Sequence, residues 1–285
     1  MKQRLNEKIM HGVFFAAALV SIIAVTLICI FLFANGLPAI RQIGFSSFLL
    51  GGDWSPTDVP PDFGIFPMIL GSIYITAGAL LLGAPIGVFT AVFMSDFCPK
   101  RAYKIIKPCV DLLAGIPSII YGFFGMVMIV PAIRILFKVN GSSILAASVL
   151  LGIMILPTII SISESSIRAV PGTYYEGAVA LGASHEHSVF FTVVPAAKSG
   201  ILSSVILGLG RAIGETMAVI MVAGNQPRMP VGVLKGVRTL TANIVLEMGY
   251  AAELHRGALI ATGMVLFVFI LLINLSFSAL KRRNL

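Results

Sequence analysis

The 285-residue chain is 58% hydrophobic and 11% charged, which excludes an ordinary soluble globular protein. Its net charge of +8 does not indicate nucleic-acid binding, because the basic residues stand at the ends of apolar stretches and form no basic face with interleaved aromatic residues. The apolar stretches are continuous and about 20 residues long, so they predict membrane-spanning helices rather than the alternating strands of a barrel.

The first apolar stretch, residues 12–34, predicts a retained transmembrane helix. It follows Lys2, Arg4 and Lys8, as the apolar part of a secretory signal would. However, its 23 uncharged residues exceed the roughly 7–15 residues of a signal h-region. The next segment, residues 35–65, is rich in Gly, Pro and Asp and is predicted to be a loop outside the bilayer.

This loop completes a first unit, residues 1–65, which precedes a predicted core of five membrane helices at 66–280 and a basic tail at 281–285. Within the loop, Asp53 and Trp54 have two interpretations. They either contact a protein that delivers the substrate, or Trp54 anchors the chain at the membrane edge. The sequence leaves both open.

Five further helices are predicted in the core, at residues 66–93, 108–133, 144–163, 196–224 and 257–280. The first of these is expected to be interrupted by the Gly- and Pro-containing residues 83–87. Pro117 and Pro157 are expected to bend the next two helices, which would serve packing or gating. Polar segments at 164–195 and 225–255 separate the remaining helices.

The distribution of basic residues predicts the orientation in the membrane. With six crossings, both termini fall on one side, together with 12 Lys and Arg residues, whereas the opposite side holds 7. The positive-inside rule therefore places both termini in the cytoplasm. The chain is therefore predicted to be a multi-pass membrane protein.

A helix-turn-helix is predicted within residues 164–195, the segment that we call the docking loop. Residues 176–181 form a run of mostly small, helix-forming residues, Gly182 permits a left-handed turn, and a second short helix is expected before Pro195. Such a compact unit suits insertion into a groove on a soluble partner. An ordinary polar connection is the alternative.

The docking loop resembles the EAA loop of ABC importer permeases, which reads Glu-Ala-Ala, three residues, Gly, nine residues, then Ile-x-Leu-Pro. Four positions match this spacing: Glu176, Ala178, Gly182 and Pro195. Three positions depart from it: Gly177, Thr192 and Val194. The resemblance implies the all-α, MetI-like type I permease fold, and it implies that Gly177 and the four matching residues dock onto an ATPase. The chain has no GxxxxGK[ST] loop, so ATP and magnesium are expected on a separate ATPase and no cofactor on this chain.

Three further stretches, residues 115–122, 153–159 and 208–219, resemble the phosphate-specific permeases of the C-type (PstC) family. The resemblance covers about residues 50–280. It implies a transport subunit without enzymatic activity that forms half of an import pathway for inorganic phosphate. It also implies four kinds of partner: a homologous A-type permease, two copies of an ATPase, an extracytoplasmic phosphate-binding protein and membrane lipid.

Two charged residues, Arg211 and Glu215, lie inside the predicted helix 196–224, one helical turn apart. A charge at the bilayer centre costs at least ~2.5–3.5 kcal/mol, so each needs a partner or a water-filled cavity. Because paired guanidinium donors fit a tetrahedral anion, Arg211 and Glu215 are predicted to line the substrate pathway. Glu215 would then have to be protonated, turned away, or used as a switching partner. The alternative is an ion pair that locks this helix onto a neighbour.

Gly210 and Gly214 in the same helix follow the small-xxx-small pattern, which predicts close helix packing. Two other functions remain open on the residues alone. One is the transport of sulfate or molybdate, whose tetrahedral anions pose the same electrostatic problem. The other is an ion-coupled secondary transporter with Glu215 as its proton site.

Neither a metal site nor a disulfide is predicted. Cys29, Cys98 and Cys109 have no CxxC spacing. His185 and His187 stand at i and i+2 and therefore do not share a helical face, so they do not form a pair of metal ligands.

Overall fold

The computed structural model describes the backbone of residues 2–283 and the side chains of residues 10–276. The described chain is a bundle of helices with one two-stranded antiparallel hairpin, in which Trp54 pairs with Phe63 and Ser55 with Asp62. The predicted all-α membrane fold is therefore confirmed.

The elements before the centre of the chain are, in order, α1 (Lys2–Ile43), α2 (Phe45–Leu50), β1 (Trp54–Ser55), β2 (Asp62–Phe63), α3 (Phe66–Val92), α4 (Lys100–Gly115), α5 (Ser118–Phe124) and α6 (Val130–Phe137). The remaining helices are α7 (Ile144–Arg168), α8 (Gly172–Ala180), α9 (His185–Ser188), α10 (Val194–Ala196), α11 (Lys198–Gly214), α12 (Met217–Val222), α13 (Leu240–Glu247) and α14 (Glu253–Arg283). Short π-helical turns extend or join some of them, at Phe93–Phe97, Gly125–Ile129 and Val189–Val193.

Five helical stretches of the described chain are long and apolar enough to cross a bilayer: Met10–Ile43, Phe66–Phe97, Ser118–Phe137, Ile144–Arg168 and Glu253–Ser276. A sixth span results if α11 is taken together with the preceding segment His185–Ala196, which meets it at a bend of 67°. The prediction of about six spans is thus confirmed at five to six.

The first and last helices, α1 and α14, run antiparallel. Gly36 near the end of α1 packs against Ala261 near the start of α14, and Ala39 packs against Gly257. Both ends of the chain therefore lie at the same end of the bundle. Elsewhere α1 is nearly free of the rest of the chain, because every side chain in residues 10–28 is exposed.

The core is built around α7, whose central side chains are almost completely buried. Glycines bring α3 close to it, since a Cβ at Gly78 or Gly87 would clash with Ser148 or Ile159 of α7. This explains why residues 83–87 do not interrupt the helix as predicted. The glycines there serve contact with α7, and α3 continues through Pro85 to Val92.

The two ends of helix α7 define the two ends of the bundle. The amide of its first residue, Ile144, donates to the carbonyl of Lys235, whereas its last residue, Arg168, leads into the docking loop. A helix of 25 residues is about 37 Å long at 1.5 Å per residue. We therefore refer to a hairpin end, with β1, β2 and α13, and a docking end, with the docking loop, the start of α1 and the end of α14.

The predicted loop at 35–65 is wrong in its boundaries. Helix α1 continues through Pro38 to Ile43, because Ala39 and Ile40 are apolar and bury themselves in the contact with α14. The remainder contains α2 and the hairpin. The later predicted boundaries also shift, since α7 extends to Arg168 and runs through Pro157, and α14 begins at Glu253.

The predicted helix at 108–133 is wrong in both its start and its continuity. Helix α4 already begins at Lys100, and it ends at Gly115 because the residue before a proline is disfavoured in helical geometry. Ile116 accordingly has extended angles, φ −70° and ψ 126°. Pro117 therefore separates α4 from α5 and does not bend a single helix.

Candidate translocation site and docking loop

The helix predicted at 196–224 is broken in the structure. Helix α11 ends at Gly214, Glu215 has extended angles (φ −69°, ψ 131°), and α12 begins at Met217. The prediction that Arg211 and Glu215 share one face of a continuous helix is therefore wrong. Gly214 is a poor helix former, which favours the end of α11 here. The Glu215 carboxylate bonds to nearby backbone amides, which favours the start of a new helix over continuation of the first.

That carboxylate caps α12. Glu215 Oε1 accepts hydrogen bonds from the backbone N–H groups of Thr216 and Ala218, each at 3.1 Å. These are two of the amides that a helix start leaves without an intrahelical partner. The negative charge is thereby placed at the positive end of a helix, where it is stabilised.

The carbonyl groups at the break are also satisfied. The Thr216 hydroxyl donates to the carbonyl of Gly214 at 3.2 Å, and the Thr241 hydroxyl donates to that of Glu215 at 3.1 Å. Irregular backbone inside a bilayer requires such partners, because an unpaired group in hydrocarbon costs several kcal/mol. The break is therefore a stable feature of this fold.

Arg211 lies in the last turn of α11 and is half-buried. Its Nη1 is 3.4 Å from the Thr158 hydroxyl of α7, at the long limit of a hydrogen bond. Among the ion pairs formed by the described side chains, none joins Arg211 to Glu215. The locked Arg211–Glu215 pair, considered above as an alternative, is not formed in this structure.

The glycines of α11 divide into two groups. A Cβ at Gly208 would press on Ile159 of α7, whereas a Cβ at Gly210 or Gly214 would meet no atom of the described chain within 4 Å. Gly208 therefore packs α11 inside this chain. The packing role of Gly210 and Gly214 stays a prediction, and it concerns a surface that this chain leaves open.

The docking loop folds as the predicted helix-turn-helix. Helix α8 ends in a Schellman turn, in which the amides of Gly182 and Ala183 donate to the carbonyls of Val179 and Ala178. Gly182 has a φ of +90°, the left-handed conformation that favours glycine. Helix α8 buries none of its residues, so it projects from the bundle.

The second half of the docking loop is attached to the bundle. Val189 and Val193 are buried against Ala91 and Val92 at the end of α3, and against Ile167 of α7. Pro195, by contrast, is exposed. We call the attached second half the base of the docking loop, and α8 with its turn at Gly182 the tip.

His185 connects the tip to this base. Its Nδ1 is 2.9 Å from the Tyr175 hydroxyl of α8, and its ring packs edge-on against Phe97 at 4.9 Å. His187 instead stacks on Phe191. Both histidines are thus engaged in aromatic contacts, and the described residues contain no cluster of three or more His, Cys, Asp or Glu suited to a metal ion.

A buried carboxylate at the docking end, Glu164, was missed by the sequence reasoning, which placed it at the edge of a polar loop. It accepts from the Tyr103 hydroxyl at 2.6 Å, pairs with Arg168 at 2.9 Å and lies 3.3 Å from the Lys107 ammonium. Arg168 also donates to the carbonyl of Met94 and covers the ring of Tyr103. We call this set the Glu164 cluster. It ties α4 and the end of α3 to the last turn of α7.

The cluster shifts the acid–base properties of its members. The pKa of Tyr103 is raised, first by its hydrogen bond to Glu164 and then by burial. Burial alone would lower the pKa of Lys107, but the carboxylates of Glu164 and Asp111 outweigh it, so the pKa is raised. Both groups therefore keep their protons at neutral pH.

A second buried carboxylate, Glu247, lies at the hairpin end. Its Oε2 accepts from Trp54 Nε1 at 2.8 Å and lies 2.9 Å from His255 Nε2, and its Oε1 pairs with Arg238. Trp54 is only 6% exposed, which leaves little of its ring for a membrane edge or for a delivery protein. Asp53 beside it is exposed, and its contact with such a protein stays a prediction. The partner of Trp54, Glu247, lies 193 residues away in the chain, so no local sequence pattern predicted this contact.

Comparison with known proteins agrees with this architecture. The family model described as the binding-protein-dependent transport system inner membrane component matches residues 83–285. The chain belongs to this family. The permease is 40% identical to the probable ABC transporter permease protein YqgH of Bacillus subtilis, over 91% of this chain and 87% of that protein.

Phosphate transport system permease proteins PstC are also relatives of this permease. It is 34% identical to that of Mesorhizobium japonicum, over 94% of this chain and 88% of the relative, and 32% identical to the probable PstC of Methanocaldococcus jannaschii, over 91% and 88%. The predicted resemblance to PstC-type ABC importer permeases is therefore confirmed. The chain is a membrane transport subunit rather than an enzyme.

Solved structures confirm the fold. A bacterial alginate ABC transporter, solved in complex with a periplasmic protein bound to an alginate pentasaccharide, matches with a TM-score of 0.64 at 18% identity, over 97% of this permease and 96% of that chain. The MetNI methionine ABC transporter matches with a TM-score of 0.63 at 19% identity, over 78% and 96%. The MetI-like importer fold is thus shown, and an ion-coupled secondary transporter is inconsistent with the family.

Proposed function

We propose that this permease forms half of the translocation pathway of an ATP-driven importer of inorganic phosphate. The observation that carries the proposal is the half-buried guanidinium of Arg211 beside the break in α11. A guanidinium has five N–H donors, and among the described residues Arg211 has one hydrogen bond, a long one to Thr158. The remaining donors are suited to a tetrahedral anion. The PstC relatives support phosphate as that anion.

The position of Glu215 removes the conflict that a carboxylate beside an anion site would create. Its Oε1 is held by the amides of Thr216 and Ala218 at the start of α12. The carboxylate thereby serves as the cap of α12. In this proposal Glu215 builds the break next to the Arg211 turn, without a direct contact to the substrate.

Coupling to ATP hydrolysis would run through the docking loop. The exposed tip, with Glu176, Gly177, Ala178 and Gly182, would enter a cleft on a separate ATPase, whereas the base transmits the movement to α3 and α7. The complex would contain two ATPase copies, which bind ATP and magnesium. In this arrangement the docking end and both chain termini face the cytoplasm, as the basic residues predict.

The hairpin end would then face outward and receive phosphate from an extracytoplasmic binding protein. A homologous A-type permease would cover the open side of α11, where Gly210 and Gly214 leave room for a close helix contact. Lipid would surround the remaining exposed apolar side chains, including those of α1.

The test is uptake of radiolabelled phosphate into proteoliposomes that contain the permease, its partner permease and its ATPase, with binding protein and ATP supplied. We expect ATP-dependent uptake that excess sulfate or molybdate does not inhibit. Arg211→Gln should abolish uptake while the complex still assembles. Inhibition by sulfate or molybdate would indicate that this anion, and not phosphate, is the substrate. Normal uptake by Arg211→Gln would show that Arg211 is not part of the pathway.

A further inference from the structure

A side-chain hydrogen bond from a distant part of the described chain reaches the break between α11 and α12, and its donor is Thr241. The side-chain hydrogen bonds of Thr216 and Glu215 at the break are local. Thr241, by contrast, comes from 26 residues further along the chain, and its hydroxyl donates to the Glu215 carbonyl at 3.1 Å. Its side chain lies in the interior, with 7% of the residue exposed. This bond fixes the peptide unit that follows the Arg211 turn.

Thr241 is itself fixed in the first turn of α13. The Thr239 hydroxyl caps this helix by accepting from the amide of Ala242, and it lies 3.1 Å from the Thr241 hydroxyl. The amide of Leu240 donates to the hydroxyl of Ser72 in α3. The start of α13 therefore has few alternative positions relative to α3.

Arg238, just before α13, holds the opposite end of α12. Its Nε donates to the carbonyl of Asn225 at 3.1 Å, and its Nη1 donates to the Asn243 side chain at 2.9 Å. Helix α12 is thus held at its start through Glu215 and beyond its end through Asn225. We call Arg238 together with α13 the bracket.

The far end of the bracket is anchored to the hairpin. Glu247, the last residue of α13, receives the Trp54 indole N–H of β1 and contacts His255 at the start of α14. It also pairs with Arg238, so the two arms of the bracket are joined. All of these groups are buried or nearly so, which makes the contacts stronger than surface pairs.

We propose that Thr241 is a positioning residue for transport: the bracket sets the depth and direction of α12, and thereby the geometry of Glu215 and Arg211. A displacement of the hairpin would reach the break through Trp54, Glu247, α13 and Thr241 in turn. The inference rests on the proposed function, because its readout is phosphate uptake. It adds that the pathway is positioned from the hairpin end as well as from the docking loop.

The test compares Thr241→Val with Thr241→Ser in the reconstituted importer. Valine keeps the shape but cannot donate to the Glu215 carbonyl, whereas serine keeps the hydroxyl. For Thr241→Val we expect the maximal uptake rate per assembled complex to fall about three- to tenfold, the value of one lost hydrogen bond. The phosphate concentration for half-maximal uptake should not change. Thr241→Ser should retain most of the rate.

A matched control is Thr262→Val, because this buried hydroxyl bonds only within its own helix, to the carbonyl of Ala258. It should leave uptake unchanged. We also expect Thr241→Val to transport less phosphate per ATP hydrolysed, which a general loss of stability would not produce.

Wild-type uptake by Thr241→Val, or equal losses in the valine and serine variants, would overturn the inference. If Thr241→Val does not assemble, Trp54→Phe decides, because phenylalanine supplies a smaller aromatic ring without the donor to Glu247. An unchanged transport-to-hydrolysis ratio in this variant would overturn the inference. A wild-type complex that takes up no phosphate would instead contradict the proposed function.

Discussion

The hydroxyl of Tyr103 donates a 2.6 Å hydrogen bond to the buried carboxylate of Glu164, which joins α4 to the end of α7, where the docking loop begins. Glu164 also compensates the charges of Lys107 and Arg168. A buried carboxylate with two cationic partners is costly to disrupt, because the partners are left without compensation.

We therefore expect Glu164→Gln to lower the free energy of unfolding by about 1.5–3 kcal/mol, and Tyr103→Phe by about 1 kcal/mol. Thermal unfolding of the purified permease measures both. Asp111→Asn is the control, because Asp111 also pairs with Lys107 but is half-exposed, and such pairs contribute about 0–1 kcal/mol. Equal effects of Asp111→Asn and Glu164→Gln would contradict the central role of Glu164.

Gly200 of α11 lies directly against the side chain of Ser166 in α7. A Cβ at this position would clash with the side chain of Ser166. Gly200→Ala should therefore separate the two helices and cost about 1–3 kcal/mol of stability. Gly249→Ala is the control, because a Cβ there meets nothing within 4 Å. The prediction fails if both variants unfold at the same temperature as the wild type.

The docking loop depends on the left-handed turn at Gly182. An L-residue in this conformation costs about 1–2 kcal/mol, so Gly182→Ala should disturb the turn and reduce the amount of ATPase that co-purifies. Gly177→Ala should do the opposite, because it replaces a helical glycine and restores the alanine of the EAA pattern. Quantitative co-purification measures both effects. Similar losses for the two substitutions would argue against a role for the turn.

Glu215 offers a way to separate capping from charge. Glu215→Gln keeps an oxygen that accepts from Thr216 and Ala218, so α12 should form and the complex should assemble. Glu215→Ala removes the acceptor and should cost about 0.5–2 kcal/mol, as the loss of a helix cap does. Thermal unfolding and uptake measured together test this. If Glu215→Gln is as unstable as Glu215→Ala, the carboxylate acts by charge rather than as a cap.

The sequence was sufficient for features that depend on local pattern. Long apolar stretches predicted the spans, and the spacing around Gly182 predicted the docking loop and its turn. It also contained a signal that the interpretation missed. Within residues 100–115, basic and apolar residues recur at helical spacing, which is typical of an amphipathic helix. Helix α4 begins at the first of these residues.

The remaining features depend on contacts that are distant in the chain. The break at Glu215 is stabilised by Thr241, the hairpin by a bond from Trp54 to Glu247, and α4 by one from Tyr103 to Glu164. A pattern confined to a few neighbouring residues does not show which carboxylate a distant side chain will reach. These three pairs therefore required the structure.

The exposure of α1 has a consequence for how this protein can be altered. Because the side chains of residues 10–28 touch almost nothing in the chain, hydrophobicity and length are the demands that the described fold makes on them. The sequence of that stretch can therefore vary, whereas the contact between α1 and α14 around Gly36, Ala39 and Gly257 is closely packed and depends on these small residues. An unrelated apolar stretch grafted in place of residues 10–28 should carry the rest of the permease unchanged.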